Sequence, residues 1–309
     1  MHKIYLPTIQ QMKLFEAVSR LGSITQAAKE VNLTQPSVSM QIKALEDKIG
    51  LPLIDQIGKS LYLTKAGEEV AATSRDVLDR LEVMKSQLTS VHEDIAGPLH
   101  LGVVTTTKYF LPQRVGEFKR RYPGVEPQVI MGNREQIMHR MSQNMDDVYI
   151  MGTPPEQQAL THTPISDNEI VFVATPYHPL AGAPSISLQQ LIEADVIGRE
   201  PGSGTRQAIE RRFAEEGLQL SPHMEFEDSE AIKLAAISGL GIAYLPLHSL
   251  RLELSARELV ILQVDGFPLK RRWYAMHHKA KHLSLVANRF LEFLHETSDE
   301  TISPPVEHR

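Results

Sequence analysis

Apolar residues recur at helical spacing through the first fifty positions of this chain, then alternate briefly, then fall into short runs separated by amphipathic stretches. Ile9, Met12, Phe15 and Val18 predict the inward face of a helix opened by Thr8, with Gln11 at the spacing of a capping box. Ser23 and Gln26 repeat that spacing, and Ala27, Ala28 and Val31 predict a short second helix with a small apolar face. Asn32-Leu33-Thr34 supplies a turn, and a third helix opens at Gln35-Pro36, where proline removes no intrahelical bond. Val38, Ile42, Leu45 and Ile49 point that helix inward, leaving Gln35, Ser37, Ser39 and Gln41 outward. Residues Leu53 to Leu63 read as a hairpin turning at Gly58-Lys59. Two helices alone would fit an ordinary helical hairpin with a polar surface. The flanking helix and the hairpin make a winged helix-turn-helix the expected head, over residues 1–65. Short uncharged side chains rich in donors and acceptors suit base edges in a major groove.

From Ala66 the pattern becomes one long helix, expected over 66–96. Val70, Val77, Leu81, Met84, Leu88 and Val91 form a heptad seam, interrupted at Ser74, with charged residues on the outer faces. An amphipathic helix packed on its own body would show a similar stripe. The narrowness of this one favours a coiled-coil dimerisation helix, which would bring two heads to two half-sites and raise affinity through effective concentration.

Gly97-Pro98 opens a third pattern. Strands are expected at 99–104, 125–131, 148–152, 170–174, 196–198, 224–226, 242–245 and 272–277, with helices between them and a last helix over 284–294. Alternation of this kind predicts two α/β lobes with parallel sheets. Lobe I is placed at about 97–162 and 268–296, and lobe II at about 163–267, with the change near 161–165 and the return near 266–271. The fold class is thus α+β multidomain, ending in a polar, proline-containing tail over 297–309 that is expected to be disordered.

The net charge of −6 argues at first against nucleic acid, but its distribution answers the objection. Residues 1–65 carry eight Lys/Arg and five Asp/Glu, so the head is +3 and the remainder −9. With no cysteine the chain has neither disulfides nor a thiol redox sensor. No apolar run reaches the roughly 18 residues of a membrane span, and no secretory core follows Met1, so the expected location is the cytoplasm and no membrane partner is expected.

Ligands of open α/β sheets sit beyond the carboxyl ends of strands, where helix N-termini present free N–H groups. Two loops fit. Thr105, Thr106 and Thr107 offer hydroxyls and amides after one strand. Residues 199–206 follow another: Gly202 and Gly204 allow close backbone approach, Ser203 and Thr205 donate, and Arg206 can pair with a phosphate or carboxylate. Helix capping and a plain turn account for the same residue types. The second loop is not a nucleotide P-loop, since no lysine follows its second glycine. An enzyme is not expected: there is no His-Glu-x-x-His, no nucleophile elbow, and His277, His278 and His282 lack an acidic or cysteine partner for a metal.

The head resembles the LysR-type transcriptional regulators. The resemblance rests on Phe15, Ala27-Ala28, Leu33-Thr34-Gln35-Pro36-Ser37-Val38-Ser39, Ile42-Lys43, Leu45-Glu46, Gly50-Leu51-Pro52-Leu53 and Leu63-Thr64 with Ala66-Gly67. It implies a two-lobed effector domain of the periplasmic-binding-protein type, a homodimer or homotetramer, promoter DNA and RNA polymerase as partners, and a small-molecule effector. DNA contacts are expected from Ser23, Thr25, Thr34, Gln35, Pro36, Ser37, Ser39, Lys43 and Lys59, with Lys29 also near phosphates. For the effector cleft it adds Asn133, beside Gly132, and the edge at Gly239 and Gly241; Asp147 matches a structural acid. Two positions depart from the family pattern: Gln56 stands in the wing and Met40 after the recognition serine, where basic residues are common, which implies a weaker salt dependence. Residues 200–206 and 266–274 resemble the Calvin-cycle operon regulators, the CbbR group, which implies carbon-fixation targets and an anionic effector, a phosphorylated metabolite or NADPH. A LysR-type regulator of another operon is the alternative; a solute-binding protein or an enzyme on the same lobes fits less well.

Overall fold

The computed structural model describes residues 6–57, 60–89, 95–156 and 159–298. These divide into two compact units near residue 94. The first holds α1 (Ile9–Leu21), α2 (Ile24–Glu30), α3 (Gln35–Ile49), the antiparallel pair β1 (Ile54–Ile57) and β2 (Ser60–Leu63), and the long α4 (Lys65–Thr89). Thr8 and Gln11 form the full capping box, with Gln11 N–H donating to Thr8 Oγ1 at 3.2 Å and Thr8 N–H to Gln11 Oε1 at 3.1 Å. At Ser23 only one arm is made, from Gln26 N–H at 3.3 Å. The inward face of α1 is Leu14, Phe15, Ala17 and Val18, whereas Ile9, in the first turn beyond the core edge, is exposed and Met12 half-buried. On α3, Val38, Ile42 and Leu45 are buried as their spacing predicts.

Several of the residues shared with the LysR pattern hold the wing in place. Gly50 ends α3 in the left-handed region (φ 79°), the conformation glycine adopts at least cost. The carboxylate of Glu46 then accepts from the N–H groups of Leu53 (2.8 Å) and Ile54 (3.3 Å), tying the entry of β1 to α3. Thr64 Oγ1 donates to the Pro52 carbonyl at 2.7 Å and accepts from Gly67 N–H at 3.0 Å, capping α4. A Cβ on Gly67 would lie 2.0 Å from the Leu53 carbonyl oxygen, so only glycine lets α4 pass this close. Ala71 and Ser74 are buried where α4 packs on α1. The seam residues Val70, Val77 and Leu81 remain half-exposed and Met84 exposed; residues 90–96 of the predicted helix include 90–94, which lie outside the described residues, with Val91 among them.

The second unit contains two five-stranded sheets. Lobe I is built from β3 (Gly97–Val104), α5 (Leu111–Arg121), β4 (Val125–Gly132), α6 (Arg134–Ser142), β5 (Val148–Met151) and β6 (Leu160–Asp167). Lobe II follows with β7 (Ile170–Ala174), α7 (Leu188–Ile192), β8 (Val196–Arg199), α8 (Gly204–Ala214), β9 (Met224–Phe226), α9 (Ser229–Ile237), β10 (Ile242–Pro246), α10 (Arg251–Ser255) and β11 (Val260–Ile261). β12 (Arg272–His278) and α11 (Leu285–Glu296) complete lobe I. The strand orders are β4-β3-β5-β12-β6 and β11-β7-β10-β8-β9.

The sheets are mixed rather than parallel. Each has a parallel trio, β4-β3-β5 or β9-β8-β10, extended by two antiparallel strands that bring the chain into and out of the lobe. The change of lobe falls at Asn168–Glu169, not at 161–165, because β6 still pairs with β12 along its whole length. β6 carries Leu-Thr-His-Thr-Pro-Ile-Ser-Asp on a sheet edge, with only Ile165 buried, so no apolar run announces it. The return passes Leu269, which bridges Ile170, and Arg271, whose carbonyl accepts from Asn168 N–H at 2.8 Å. Lobe II buries clusters on both sheet faces, around Phe172 and Phe213 and around Ile232 and Leu245. In lobe I, Phe118 on α5 meets Phe290 and Phe293 on α11 at ring separations of 5.0 and 5.4 Å. Of the predicted tail, Thr297 still bonds back to Phe293 O at 3.1 Å, and 299–309 lie outside the described residues. No described helix is long and apolar enough to cross a membrane.

Replacing Glu46 by Ala strands two backbone donors at the base of the wing and should destabilise the fold by about 1–3 kcal/mol. Urea unfolding followed by far-UV circular dichroism reads this, and an unchanged midpoint would remove Glu46 from the scaffold.

Candidate functional site

The polar face of α3 is presented as predicted by spacing. Thr34 is the N-cap, accepting from Ser37 N–H at 3.4 Å and lying 2.9 Å from Ser37 Oγ. Gln35, Pro36, Ser39 and Lys43 are exposed, Ser37 is half-buried under Thr34, and Met40 is 68% exposed. Thr25 and Lys29 are exposed on α2, and Ser23 caps it. Lys59 lies outside the described residues. Gln35, Pro36, Ser37 and Ser39 sit on the helix that follows the tight turn, within its first two turns, which is where a helix-turn-helix reads bases.

The second site lies between the lobes. β3 is flanked by β4 and β5, and β8 by β9 and β10, all parallel, so each sheet has a switch point where the crossovers diverge and leave a crevice beyond the strand ends. From lobe I this brings up Thr105 and Thr106 after β3, Asn133 after β4 and Gly152 after β5; from lobe II it brings Arg199, Ser203, Gly204 and Thr205. Asn133 also caps α6, accepting from Gln136 N–H at 2.9 Å. Ser203 is the N-cap of α8 but makes no side-chain capping bond, and the free amides of α8 open onto the chamber.

Five predicted residues are not on this wall. Thr107 is wholly buried and donates to Val104 O at 2.8 Å, closing the 3-10 turn at Thr105–Tyr109 that replaces the expected loop. Gly202 (φ +85°) shapes the turn behind it, where a Cβ would meet Glu135 Oε2 at 2.8 Å. Arg206 is turned outward, pairing with Glu210 at 2.7 Å and with Glu225, while its Nη1 donates to the Arg199 carbonyl at 3.0 Å. Gly239 and Gly241 lie at the amino end of β10, against Asp195, away from the strand ends that form the cleft. His277 and His278 are half-buried rather than solvated, with His278 Nε2 donating to Met141 O at 2.6 Å.

Four residues not assigned to the site from sequence complete the cleft: Arg134, outside every motif, and Arg199, Arg271 and Trp273, which lie within the stretches 199–206 and 266–274. Arg199 is 2% exposed and neutralised by a bidentate pair with Glu200 at 2.7 and 2.9 Å; its Nη2 also reaches Thr105 Oγ1 in the other lobe at 3.3 Å. Trp273 is buried with its Nε1–H unpartnered. A register shift in β12 between Trp273 and Tyr274 sets its side chain at the cleft. The chamber enclosed by these groups is about 20 Å³, room for one water.

Next to it a polar latch joins the lobes. Lys108 pairs with Asp228, Tyr109 O–H donates to Glu230, and the Lys233 ammonium lies 5.1 Å from the Tyr109 ring. Burial, then the bond to Glu230, hold the Tyr109 phenol well above its ordinary range. His248 Nε2 donates to Thr106 O at 3.2 Å, and its ring meets Trp273 edge-on at 5.9 Å.

Comparison with known proteins decides the family. Residues 9–68 match the bacterial regulatory helix-turn-helix protein, lysR family, and residues 92–299 match the LysR substrate binding domain. The chain belongs to the LysR family. It is 42% identical over 296 residues to the HTH-type transcriptional activator CmpR of Synechocystis sp., covering 96% of this chain and 97% of that one. To a RuBisCO operon transcriptional regulator of Acidithiobacillus ferrooxidans it is 41% identical over 298 residues, 96% of each. Among solved structures, the Synechocystis CcmR regulatory domain in complex with 2-PG superposes with a TM-score of 0.63 at 42% identity, over 66% of this chain and 99% of that one.

In this LysR-family chain Trp273 is the single tryptophan, so its emission reports on the cleft alone. Burial keeps the His248 imidazole below its ordinary range, so it is neutral at pH 7. The stability gained from the neutral ring is complete above about pH 6.5 and is lost as pH falls through the depressed value. Trp273 emission should therefore drop with a midpoint below about 6.5, and His248→Gln should abolish that step. A titration unaltered in the variant would assign it to another group.

Proposed function

We propose that this protein is a DNA-binding regulator of carbon-fixation operons that responds to a small anionic metabolite in the interlobe cleft. The observation that carries the reading is the exposed set Gln35, Pro36 and Ser39 on α3, joined by 41% identity along nearly the whole chain to a RuBisCO operon regulator. The half-exposed seam of Val70, Val77 and Leu81, with exposed Met84, supports pairing of α4 helices in a homodimer or a tetramer of two such pairs. Two heads then address a dyad-symmetric promoter site, with bases read through Gln35, Pro36, Ser37 and Ser39 and phosphates met by Ser23, Thr25, Thr34, Lys43 and Lys59. RNA polymerase is the onward partner. The reading places the protein in the cytoplasm and gives it no catalytic step.

The effector is read as a small phosphorylated acid of the 2-phosphoglycolate class, supported by the CcmR complex and by donors without side-chain partners at the cleft. Thr105, Thr106, Asn133, Ser203, Gly204 and Thr205 would supply hydroxyls and amides to it; Arg206, committed to Glu210 and Glu225, would brace the loop rather than touch the ligand. A chamber of 20 Å³ must widen to admit such a molecule, so binding would select a state in which the Arg199–Thr105 contact is broken.

Genome-wide footprinting with and without carbon-fixing growth tests the reading. Peaks upstream of RuBisCO genes are expected; discrete peaks elsewhere would keep the regulator and discard its pathway, and none would overturn both. Gln35→Ala should cost about 1–3 kcal/mol in discrimination between operator and mutated operator, with non-specific binding unchanged. Thr105→Val should leave operator affinity intact and blunt the shift in footprint caused by 2-phosphoglycolate.

A further inference from the structure

α3 carries an apolar line on the side that faces away from the protein. At about 3.6 residues per turn, buried Val38, Ile42 and Leu45 fix the inward direction, and the opposite direction runs through Pro36, Met40 and Lys43. Pro36, Met40 and Ala44 follow one another at intervals of four residues along that outer face, and all three are exposed. Met40 is 68% exposed and packs in neither of the apolar clusters around Leu14 and Phe15. Its neighbours differ from it in chemistry: Gln35 and Ser39 present an amide and a hydroxyl on one side, and Lys43 an ammonium one turn onward. Folding does not call for a methionine here. Alanine has the higher helix propensity, and a charged residue would keep the surface more soluble. A single exposed apolar residue elsewhere needs no explanation, but this one stands at the middle of the face that enters a groove.

We propose that Met40 is a specificity-determining residue of the head, reading the C5 methyl group of a thymine in each half-site of the promoter DNA. The proposal rests on the reading of α3 as the helix that enters the major groove. In that groove all four bases present hydrogen-bonding groups, and thymine alone adds a methyl group. The methionine side chain suits that group by shape and by chemistry. It is unbranched, with three rotatable bonds and a polarisable sulfur, so it can follow a small apolar target. It has no donor, and its sulfur is a weak acceptor. Set against O6 and N7 of guanine, or the amino group of cytosine, it would strip water from polar atoms without replacing the lost bonds. One side chain thus favours thymine and penalises a G·C pair, the two halves of specificity. Pro36 and Ala44, one turn to either side, flank it with further apolar surface that excludes water from the contact. The contact carries no charge, so it is separable from phosphate binding by its salt dependence.

The test uses the full chain and duplexes that it selects from a randomised DNA pool. Each thymine of one selected half-site is replaced in turn by deoxyuridine, which keeps the base pair and removes only the methyl group, and binding is followed by fluorescence anisotropy. For the wild type one thymine in the half-site should be sensitive, with affinity falling about 4-fold, the loss of one buried methyl group. Met40→Ala should bind the thymine duplex more weakly and be indifferent to deoxyuridine at that position, while Met40→Leu should keep the sensitivity. Cytosine there should weaken the wild type, and 5-methylcytosine should recover part of the loss in the wild type but not in Met40→Ala. The salt slope of binding and the urea midpoint should be the same in Met40→Ala as in the wild type, since neither a phosphate contact nor a core contact is removed. Sequence enrichment with no thymine sensitive in the wild type, or with Met40→Ala as sensitive as the wild type, would overturn the inference and leave the DNA-binding reading standing. A lowered salt slope or urea midpoint in Met40→Ala would make the residue part of the scaffold and overturn it as well. No enrichment of any sequence would overturn the DNA-binding reading, and the inference with it.

Discussion

Two antiparallel segments are all that cross between the sheets of the second unit, pinned where Asn168 N–H meets the Arg271 carbonyl at 2.8 Å and where Ile170 bridges Leu269. Each lobe has its own buried core, so rotation about this pair disturbs neither. Contacts between the facing edges therefore resist any rotation of one lobe against the other. The pairs Lys108–Asp228 and Arg199–Thr105 and the bond from His248 to Thr106 favour closure. Lys108 is half-buried and Asp228 exposed, and a pair open to solvent on one side contributes about 0–1 kcal/mol; the neutral bond from His248 contributes about 0.5–1.5 kcal/mol and the one from the Arg199 guanidinium about 1.5–3 kcal/mol. A sum of a few kcal/mol is within what one small ligand can shift, since moving an equilibrium from 1:99 to 99:1 takes about 5.5 kcal/mol of differential affinity.

The head obeys the opposite logic, with rigidity serving recognition. Its polar side chains at the reading face are short and sit on the first two turns of α3, so their positions are set by the backbone. That backbone is fixed at both ends, by Thr34 capping the start and by Glu46 clamping the wing near the finish. Gly67 and Thr64 then seat α4 against the same corner. A helix held in this way loses little further conformational freedom when it enters a groove, which matters for a head that carries only a modest excess of positive charge.

The helical head was legible because its signals are local: capping residues, proline at a helix start and apolar spacing all act within a few positions. The family pattern was legible too, yet Glu46, Gly50, Thr64 and Gly67 turn out to govern the wing and linker corner rather than base contact, a distinction that needs distances. β6 escaped because an edge strand with a single buried residue has no apolar run to mark it. In the cleft, the Thr105–Thr106 and Ser203–Thr205 loops could be found from strand ends followed by small polar residues. Arg206 could not be sorted by sequence, since its direction depends on Glu225 nineteen positions away. Arg134 and Arg271 are 137 positions apart and carry no shared motif, and only the crossover brings them together.

The arginines of the cleft also bear on why the lobes are not simply shut by their latch. The like charges of Arg134 in lobe I and Arg271 in the crossover oppose closure on one side of the cleft, while Lys108, Tyr109 and His248 favour it on the other. Holding the half-buried guanidinium groups of Arg134 and Arg271 near one another costs free energy unless an anion joins them. A fold that needed only a closed pair of lobes would be better served by apolar residues at 134 and 271, because replacing buried charge by well-packed apolar volume is often stabilising. Keeping the charges would narrow the gap between an open and the closed arrangement of the lobes, the condition under which a small ligand can shift one into the other. The same argument accounts for the neutral pairing of Arg199 with Glu200: a further free cation would tilt the balance toward the open state, whereas a paired one leaves a donor for Thr105 without adding net charge.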